Sequence, residues 1–211
     1  MRFGRFMIRF FTPLAWLLFP FKAVGKQNIP PTSPDDRLII CSNHISFMDP
    51  VFLEMCQKRH VFFMAKAELL EGRFANWFLG KQLGAFPVKR GKGDTGAIDR
   101  SEEIVKSGKL LGIFPEGTRS KDGQLGRAKS GAALIASQTG ASIIPVCIRT
   151  KGQHVRLFHK TIIEFGAPLS LEEMHLQDKE HPDLRYASRL IMEKIGGMMG
   201  LPPEPAKEET A

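Results

Sequence analysis

The segment Arg37-Leu-Ile-Ile-Cys41-Ser-Asn-His44-Ile-Ser-Phe-Met-Asp49-Pro50 sets two kinds of structure side by side. Its first part, after a Pro/Asp-rich loop, is a short continuous apolar run, the pattern of a strand buried on both faces. Pro50 then opens an apolar-periodic stretch to about Gln57, a short helix with proline in its first turn. The same alternation recurs along the chain. Further strands are predicted at Val61–Met64, Ala85–Val88, Leu110–Phe114, Ser142–Ile148 and Thr161–Phe165. Helices are predicted at Phe74–Leu83, Thr95–Ser107, Gly131–Ser137 and Leu184–Met192, with Gly108 and Gly140 as stops. Strands alternating with helices predict an α/β fold, a largely parallel mixed sheet flanked by helices. Sites in such folds form at the carboxyl ends of strands.

With 211 residues, the chain fits one ordinary domain. Its 43% hydrophobic content excludes general disorder. The net charge is +8, and it is uneven. Residues 1–163 carry 25 basic against 12 acidic side chains, whereas residues 164–211 carry 5 against 10. The body of the protein therefore predicts an anionic partner: nucleic acid, a membrane surface or a phosphorylated ligand. Three cysteines, Cys41, Cys56 and Cys147, form no CxxC pair, which excludes a disulfide framework and a Cys-rich zinc site. Phe outnumbers Tyr 16 to 1, a skew that favours an apolar pocket or lipid contact over base stacking.

Residues 1–30 contain Arg2, Arg5, Arg9, Lys22 and Lys26 and no acid. The charge-free run from Phe10 to Phe21 is too short to span a bilayer and is broken by Pro13 and Pro20. We read two short helices, aromatic on one side and basic on the other, lying in a membrane interface. A helix docked on the protein's own core and a signal peptide are the competing readings. The domain plan is then residues 1–30 as membrane-interface helices, 31–200 as the body, and 201–211 as a disordered Pro/Glu-rich tail.

His44 falls just past a predicted strand, and Asp49 follows five residues later. A carboxylate that accepts from one imidazole nitrogen leaves the other free to take a proton, which makes the pair a candidate base. Asp before Pro is also a common helix N-cap, and by itself this spacing does not separate the two. The second constellation, Phe114-Pro-Glu-Gly-Thr-Arg-Ser120, follows the Leu110–Phe114 strand. Pro115 and Gly117 force a tight loop that presents Glu116, Thr118 and Arg119. Arg is suited to phosphate through its forked, charge-assisted donors, and Lys121, Arg127 and Lys129 extend the positive field. A solvated turn with an exposed Glu–Arg pair is the bland alternative.

Gly91-Lys-Gly-Asp-Thr-Gly96 is a literal G-x-G-x-x-G, with Glu116 placed as the ribose acid 20 residues on. An NAD(P)-binding oxidoreductase is therefore the alternative function. Against it stand Pro87 in the preceding strand and the extra cations Lys89, Arg90 and Lys92. The sequence has no G-x-S-x-G elbow, no GxxxxGK[ST] phosphate loop, no HExxH and no nucleic-acid-binding pattern.

Jointly these segments resemble the 1-acyl-sn-glycerol-3-phosphate (lysophosphatidic acid) acyltransferase family of bacterial type. Four blocks over residues 38–150 carry the likeness: Asn43-His44-x4-Asp49, Gly84-Ala-Phe-Pro-Val-Lys-Arg90, Phe114-Pro-Glu-Gly-Thr-Arg-Ser120 and Ile143-Ile-Pro-Val-Cys-Ile148. Lys129-Ser-Gly131 departs slightly, since an aromatic usually precedes that step. The resemblance implies a glycerol-3-phosphate acyltransferase-like fold. It also implies transfer of an acyl chain to the free hydroxyl of 1-acyl-sn-glycerol 3-phosphate, giving phosphatidic acid, with no covalent acyl-enzyme. Another lysolipid or glycerol 3-phosphate stays open as acceptor. His44 and Asp49 are the implied catalytic pair. Lys66, Arg119 and Arg90 are the implied phosphate ligands, while Glu116, Gly117 and Thr118 contact substrate. Pro145 is implied in the acyl-donor or oxyanion region, with plain strand geometry as the equal alternative. No bound cofactor and no metal are implied; acyl-CoA or acyl-ACP is the co-substrate. The implied partners are lysophosphatidic acid, an anionic membrane surface and acyl carrier protein, with no nucleic acid. The implied location is the cytoplasmic face of the cell membrane, peripheral or monotopic.

Overall fold

The computed structural model describes residues 10, 12–30, 36–73, 76–82, 84–88, 94–152 and 154–201. The predicted basic residues Arg2, Arg5 and Arg9, the phosphate candidate Arg90, the Gly91–Gly93 half of the glycine motif and the tail beyond Leu201 lie outside the described residues.

Among the described residues, seven strands form one mixed sheet. They are β1 (Phe21–Val24), β2 (Leu38–Ser42), β3 (Val61–Lys66), β4 (Ala85–Val88), β5 (Leu110–Ile113), β6 (Ser142–Thr150) and β7 (Thr161–Phe165). Their spatial order is β1-β7-β6-β2-β5-β3-β4. β2 through β6 run parallel, while β7 is antiparallel to β6 and β1 is parallel to β7. The helices that flank the sheet are α1 (Asp49–Cys56), α2 (Thr95–Lys106), α3 (Gly131–Thr139) and α4 (Leu184–Met199), and Asn76–Gln82 forms a π-wound turn. This is the predicted class, with α4 about two turns longer than expected.

β2 is buried at every position, as its unbroken apolar run predicts. Successive side chains on a strand point to opposite faces, so β2 feeds two cores. Ile39 and Cys41 pack with Ile104, Ile135 and Ile191 of α2, α3 and α4. Leu38 and Ile40 pack on the other face with Phe52 and Leu53 of α1. Local capping agrees: Asp94 and Asp183 accept from the N–H of Ala97 and Tyr186 to start α2 and α4.

The N-terminal segment differs from expectation. Residues 12–18 are helical, but Phe21–Val24 joins the sheet edge as β1 instead of continuing as helix. Pro20 ends the helix, and an unsatisfied edge of β7 then captures the chain. Phe19, Phe21 and Ala23 pack on the core, whereas Leu14, Trp16 and Leu17 stay more than half exposed. Among the described residues no helix is long and apolar enough to cross a membrane.

Candidate active site

β2 and β5 are neighbours at the middle of the sheet. The chain leaves β2 for α1 on one face of the sheet and leaves β5 for α3 on the other, so the topological switch point falls between them. Diverging connections open a crevice at such a point, beyond the carboxyl ends of the strands. The two loops that leave there carry His44 and Arg119.

His44 Nδ1 lies 2.8 Å from Asp49 Oδ2. The same oxygen accepts from the backbone N–H of Ile45 and Ser46, each at 2.7 Å. Met48 occupies the N-cap position of α1, and the Asp49 carboxylate turns back over the preceding loop. The N-cap reading of Asp49 therefore does not hold; its recorded partners are the imidazole and the loop that carries it. With Nδ1 committed to Asp49, Nε2 is the nitrogen left for proton transfer.

The imidazole plane is set by a ring stack. His44 lies on Phe114 with centroids 4.0 Å apart and planes at 17°. Phe114 in turn faces Phe63 at 5.8 Å and 13°. Phe63 pairs with Gly112 across β3 and β5, and its ring covers that glycine. A Cβ on Gly112 would stand 2.2 Å from Phe63 Cε1, so only glycine leaves room for the ring. Gly112→Ala is expected to push Phe63 into the stack. Such overpacking costs about 1–3 kcal/mol, and misplacing a reacting group by 1 Å can cost roughly 100-fold in rate. Melting temperature and kcat should fall together, and Phe63→Val in the same chain should restore the melting temperature.

The two loops are tied to each other through backbone groups. Glu116 is buried, and its Oε1 and Oε2 accept from the N–H of His44 at 3.0 Å and Gly126 at 2.9 Å. Burial pushes its carboxyl above the ordinary value, while these N–H groups pull the other way. Ser120 N–H donates to the His44 carbonyl at 2.8 Å. Asn43 clips the loop to β6, exchanging two hydrogen bonds with the Ile148 backbone at 2.7 and 2.8 Å. Gly117 takes a left-handed φ of 70° to close the turn, and its N–H reaches the Phe114 carbonyl at 2.9 Å.

Of the cationic candidates, Arg119 is exposed, and its guanidinium sits 3.5 Å above the Phe47 ring. Thr118 is exposed beside it. Lys66 ends β3 on the same rim of the sheet and pairs with Glu68 at 3.2 Å. Lys129 rests over the Gly117 turn, and its ammonium would be 2.9 Å from a Cβ there. Pro145 lies within β6, near the end of its pairing with β2. It is buried inside β6 opposite Cys41, and its carbonyl accepts from Gly166 N–H at 2.8 Å. Its missing N–H falls where pairing with β7 stops, so strand geometry accounts for it.

The dinucleotide alternative fails on geometry. The strand before the glycine motif, β4, is an edge strand, far from the switch point. Glu116, its ribose acid, is committed to two backbone donors. Cysteine nucleophiles are also excluded, since all three thiols are buried. Burial pushes Cys147 up to about 11 and Cys56 up to about 12.

A family model described as Acyltransferase matches residues 20–149, which span both loops and all the strands around them. The chain belongs to the acyltransferase family. The 1-acyl-sn-glycerol-3-phosphate acyltransferase of Bacillus subtilis (strain 168) is 32% identical over 164 residues, 75% of this chain and 79% of that protein. The chloroplastic 1-acyl-sn-glycerol-3-phosphate acyltransferase of Arabidopsis thaliana is 28% identical over 170 residues, 78% of this chain and 46% of its own length. The chain thus spans about half the length of the chloroplastic relatives it matches. The family fold is shared with the crystal structure of the 1-acyl-sn-glycerophosphate acyltransferase PlsC from Thermotoga maritima. That likeness has a TM-score of 0.70 at 24% identity and covers 95% of this chain and 81% of the other.

Sequence reasoning missed Phe47, Phe63, Gly112 and the ring of Phe114 as parts of the site. An aromatic inside the polar His44–Asp49 loop was the one local signal. The stack itself joins residues from β3, β5 and the β2 loop, and no local periodicity reports it.

Proposed function

We propose that the protein transfers an acyl chain from an acyl thioester to the free hydroxyl of 1-acyl-sn-glycerol 3-phosphate, giving phosphatidic acid. The observation that carries this reading is the His44–Asp49 pair on the same rim as the Arg119 guanidinium, with Phe47 between them in sequence and under Arg119 in space. His44 Nε2 takes the hydroxyl proton as the oxygen attacks the thioester carbonyl carbon. A tetrahedral intermediate forms, its C–S bond breaks, and the leaving thiolate takes the proton back from the imidazolium. No protein nucleophile takes part, in keeping with the buried thiols.

Arg119 and Lys66 hold the acceptor phosphate, with Arg90 assigned beside them from sequence. Lys129, over the Gly117 turn, adds to the same field. Gly117 and Thr118 shape the substrate side of the loop. Glu116 braces the two loops through its backbone partners, beside the substrate contact that the resemblance implies for it. The donor is acyl-CoA or acyl carrier protein, and the enzyme works as a peripheral protein at the cytoplasmic face of an anionic membrane.

The test is free-thiol release by the purified protein, comparing lysophosphatidic acid with glycerol 3-phosphate and acyl-CoA with acyl-ACP. Release with no acceptor or donor pair would sink the reading. Within the same assay, Arg119→Ala should raise the acceptor KM by about tenfold or more while leaving the donor KM nearly unchanged; a charge-assisted hydrogen bond is worth about 1.5–3 kcal/mol. Phe47→Ala should give a smaller rise in the same constant, since a cation–π contact at an exposed site is worth roughly 0.5–1 kcal/mol. An effect confined to the donor would refute the phosphate assignment.

A further inference from the structure

We propose that the loop between β6 and β7, residues 151–160, is a second membrane anchor that acts in one plane with the N-terminal segment. The inference rests on the reading that the acceptor is a membrane lipid. β6 ends and β7 begins at the carboxyl edge of the parallel strands, so this loop stands on the same rim as His44 and Arg119. β1 runs with β7, which places residues 12–20 on that rim too.

Leu157 and Phe158 form the tip of the loop, 51% and 68% exposed. Phe158 has φ 61°, a left-handed conformation that bulky residues rarely adopt. Two backbone hydrogen bonds hold it there by knitting the loop to the N-terminal segment: Phe158 N–H to the Leu18 carbonyl at 2.7 Å, and Thr161 N–H to the Pro20 carbonyl at 2.8 Å. The exposed side chains of Leu14, Trp16 and Leu17 belong to the helix that ends at this junction. One apolar surface therefore continues from the helix onto the loop. Around it, the loop carries Lys151, Arg156 and Lys160 and no acid, and Lys22 follows on β1. A paired apolar tip ringed by cations fits the boundary of an anionic bilayer, with rings in the acyl region and charges among headgroups. An acidic protein partner would use the cations and leave the apolar tip without a counterpart.

The test is sedimentation of the full chain with vesicles of phosphatidylcholine containing phosphatidylglycerol, in the absence of acyl donor. Leu157→Ser with Phe158→Asn should lower vesicle partitioning at least tenfold, because each buried apolar side chain is worth roughly that factor. Asn tolerates the left-handed position, so the melting temperature should hold or rise, which separates lost binding from lost folding. Phe158→Trp should restore partitioning. The double variant should also lose thiol release with vesicle-borne lysophosphatidic acid while keeping it with a short-chain, monomeric acceptor. Wild-type partitioning by the double variant would overturn the proposal. So would unchanged partitioning with a selective loss of acyl-ACP turnover, which would assign the loop to the carrier protein. Partitioning needs no catalysis, so its outcome is independent of whether the thiol-release assay supports the acyl-transfer reading.

Discussion

His44→Ala is expected to lower kcat of acyl transfer by roughly 100- to 10,000-fold, the usual contribution of a positioned general base, with the fold retained. The imidazole meets the Asp49 carboxylate and stacks on the Phe114 ring. Its backbone is held independently: the N–H by Glu116, the carbonyl by Ser120, and the two following N–H groups by Asp49. Deleting the ring leaves those four ties in place. Asp49 stays buried but keeps two of its three donors, so it is not stranded without partners. The lost stack is worth roughly 0.5–1.5 kcal/mol, a shift of a few degrees in melting temperature. Thiol release within tenfold of the unsubstituted protein would exclude His44 as the base. Loss of cooperative unfolding would show that the ring is a fold element first.

Asp49→Asn is expected to cost a comparable two to four orders of magnitude in kcat, as removal of the charge behind a catalytic imidazole does in other enzymes. The geometry makes this substitution unusually clean. All three donors meet on Oδ2, while Oδ1 is buried with no hydrogen-bond partner among the described residues. An asparagine with its carbonyl at the Oδ2 position keeps every acceptor role and removes only the charge. Its amide group then occupies the Oδ1 site, a buried donor without a partner, at about 1–3 kcal/mol. The expected signature is a modest fall in melting temperature beside a large fall in kcat. Asp49→Ala serves as the contrast, since it strips the loop of its acceptor and should destabilise far more. Near-normal turnover by Asp49→Asn would leave the carboxylate as a loop fastener with no part in catalysis.

Four structural links hold the site together, and they differ in how visible they are in the sequence. The His44–Asp49 pair is local, five residues apart, and its spacing was readable once a strand end and a helix start were placed around it. The Arg119 loop was readable from Pro115 and Gly117, which restrict the backbone to a turn. The Glu116 brace was not legible. A glutamate in a tight polar loop looks available to solvent, and only the approach of the β2 loop and Gly126 buries it. The Phe63–Phe114–His44 stack was invisible, because it depends on β5 lying between β3 and β2, a strand order that crosses the chain order.

The N-terminal segment shows the same boundary from another side. Phe21–Val24 has alternating burial and four residues, too few for periodicity to separate a strand from a helix end. Its fate was set by an open edge on β7, formed by residues 140 positions away. For Pro145 the structure shows the strand placement that the sequence left as an equal alternative. The strand tolerates this proline because the ladder with β7 ends just where its missing N–H would fall.

By itself, then, the sequence determined the alternation of strands and helices, the placement of both loops at strand ends, and the residue types available for acid–base chemistry and phosphate binding. These are properties of short segments, governed by side-chain period, proline and glycine geometry, and helix capping. Tertiary structure decided which loops meet, which carboxylate holds the imidazole and which braces the backbone, and which aromatic rings stack on the imidazole and the guanidinium. Those outcomes arise from contacts between segments distant in the chain, whose energies exist only once the sheet has brought them together.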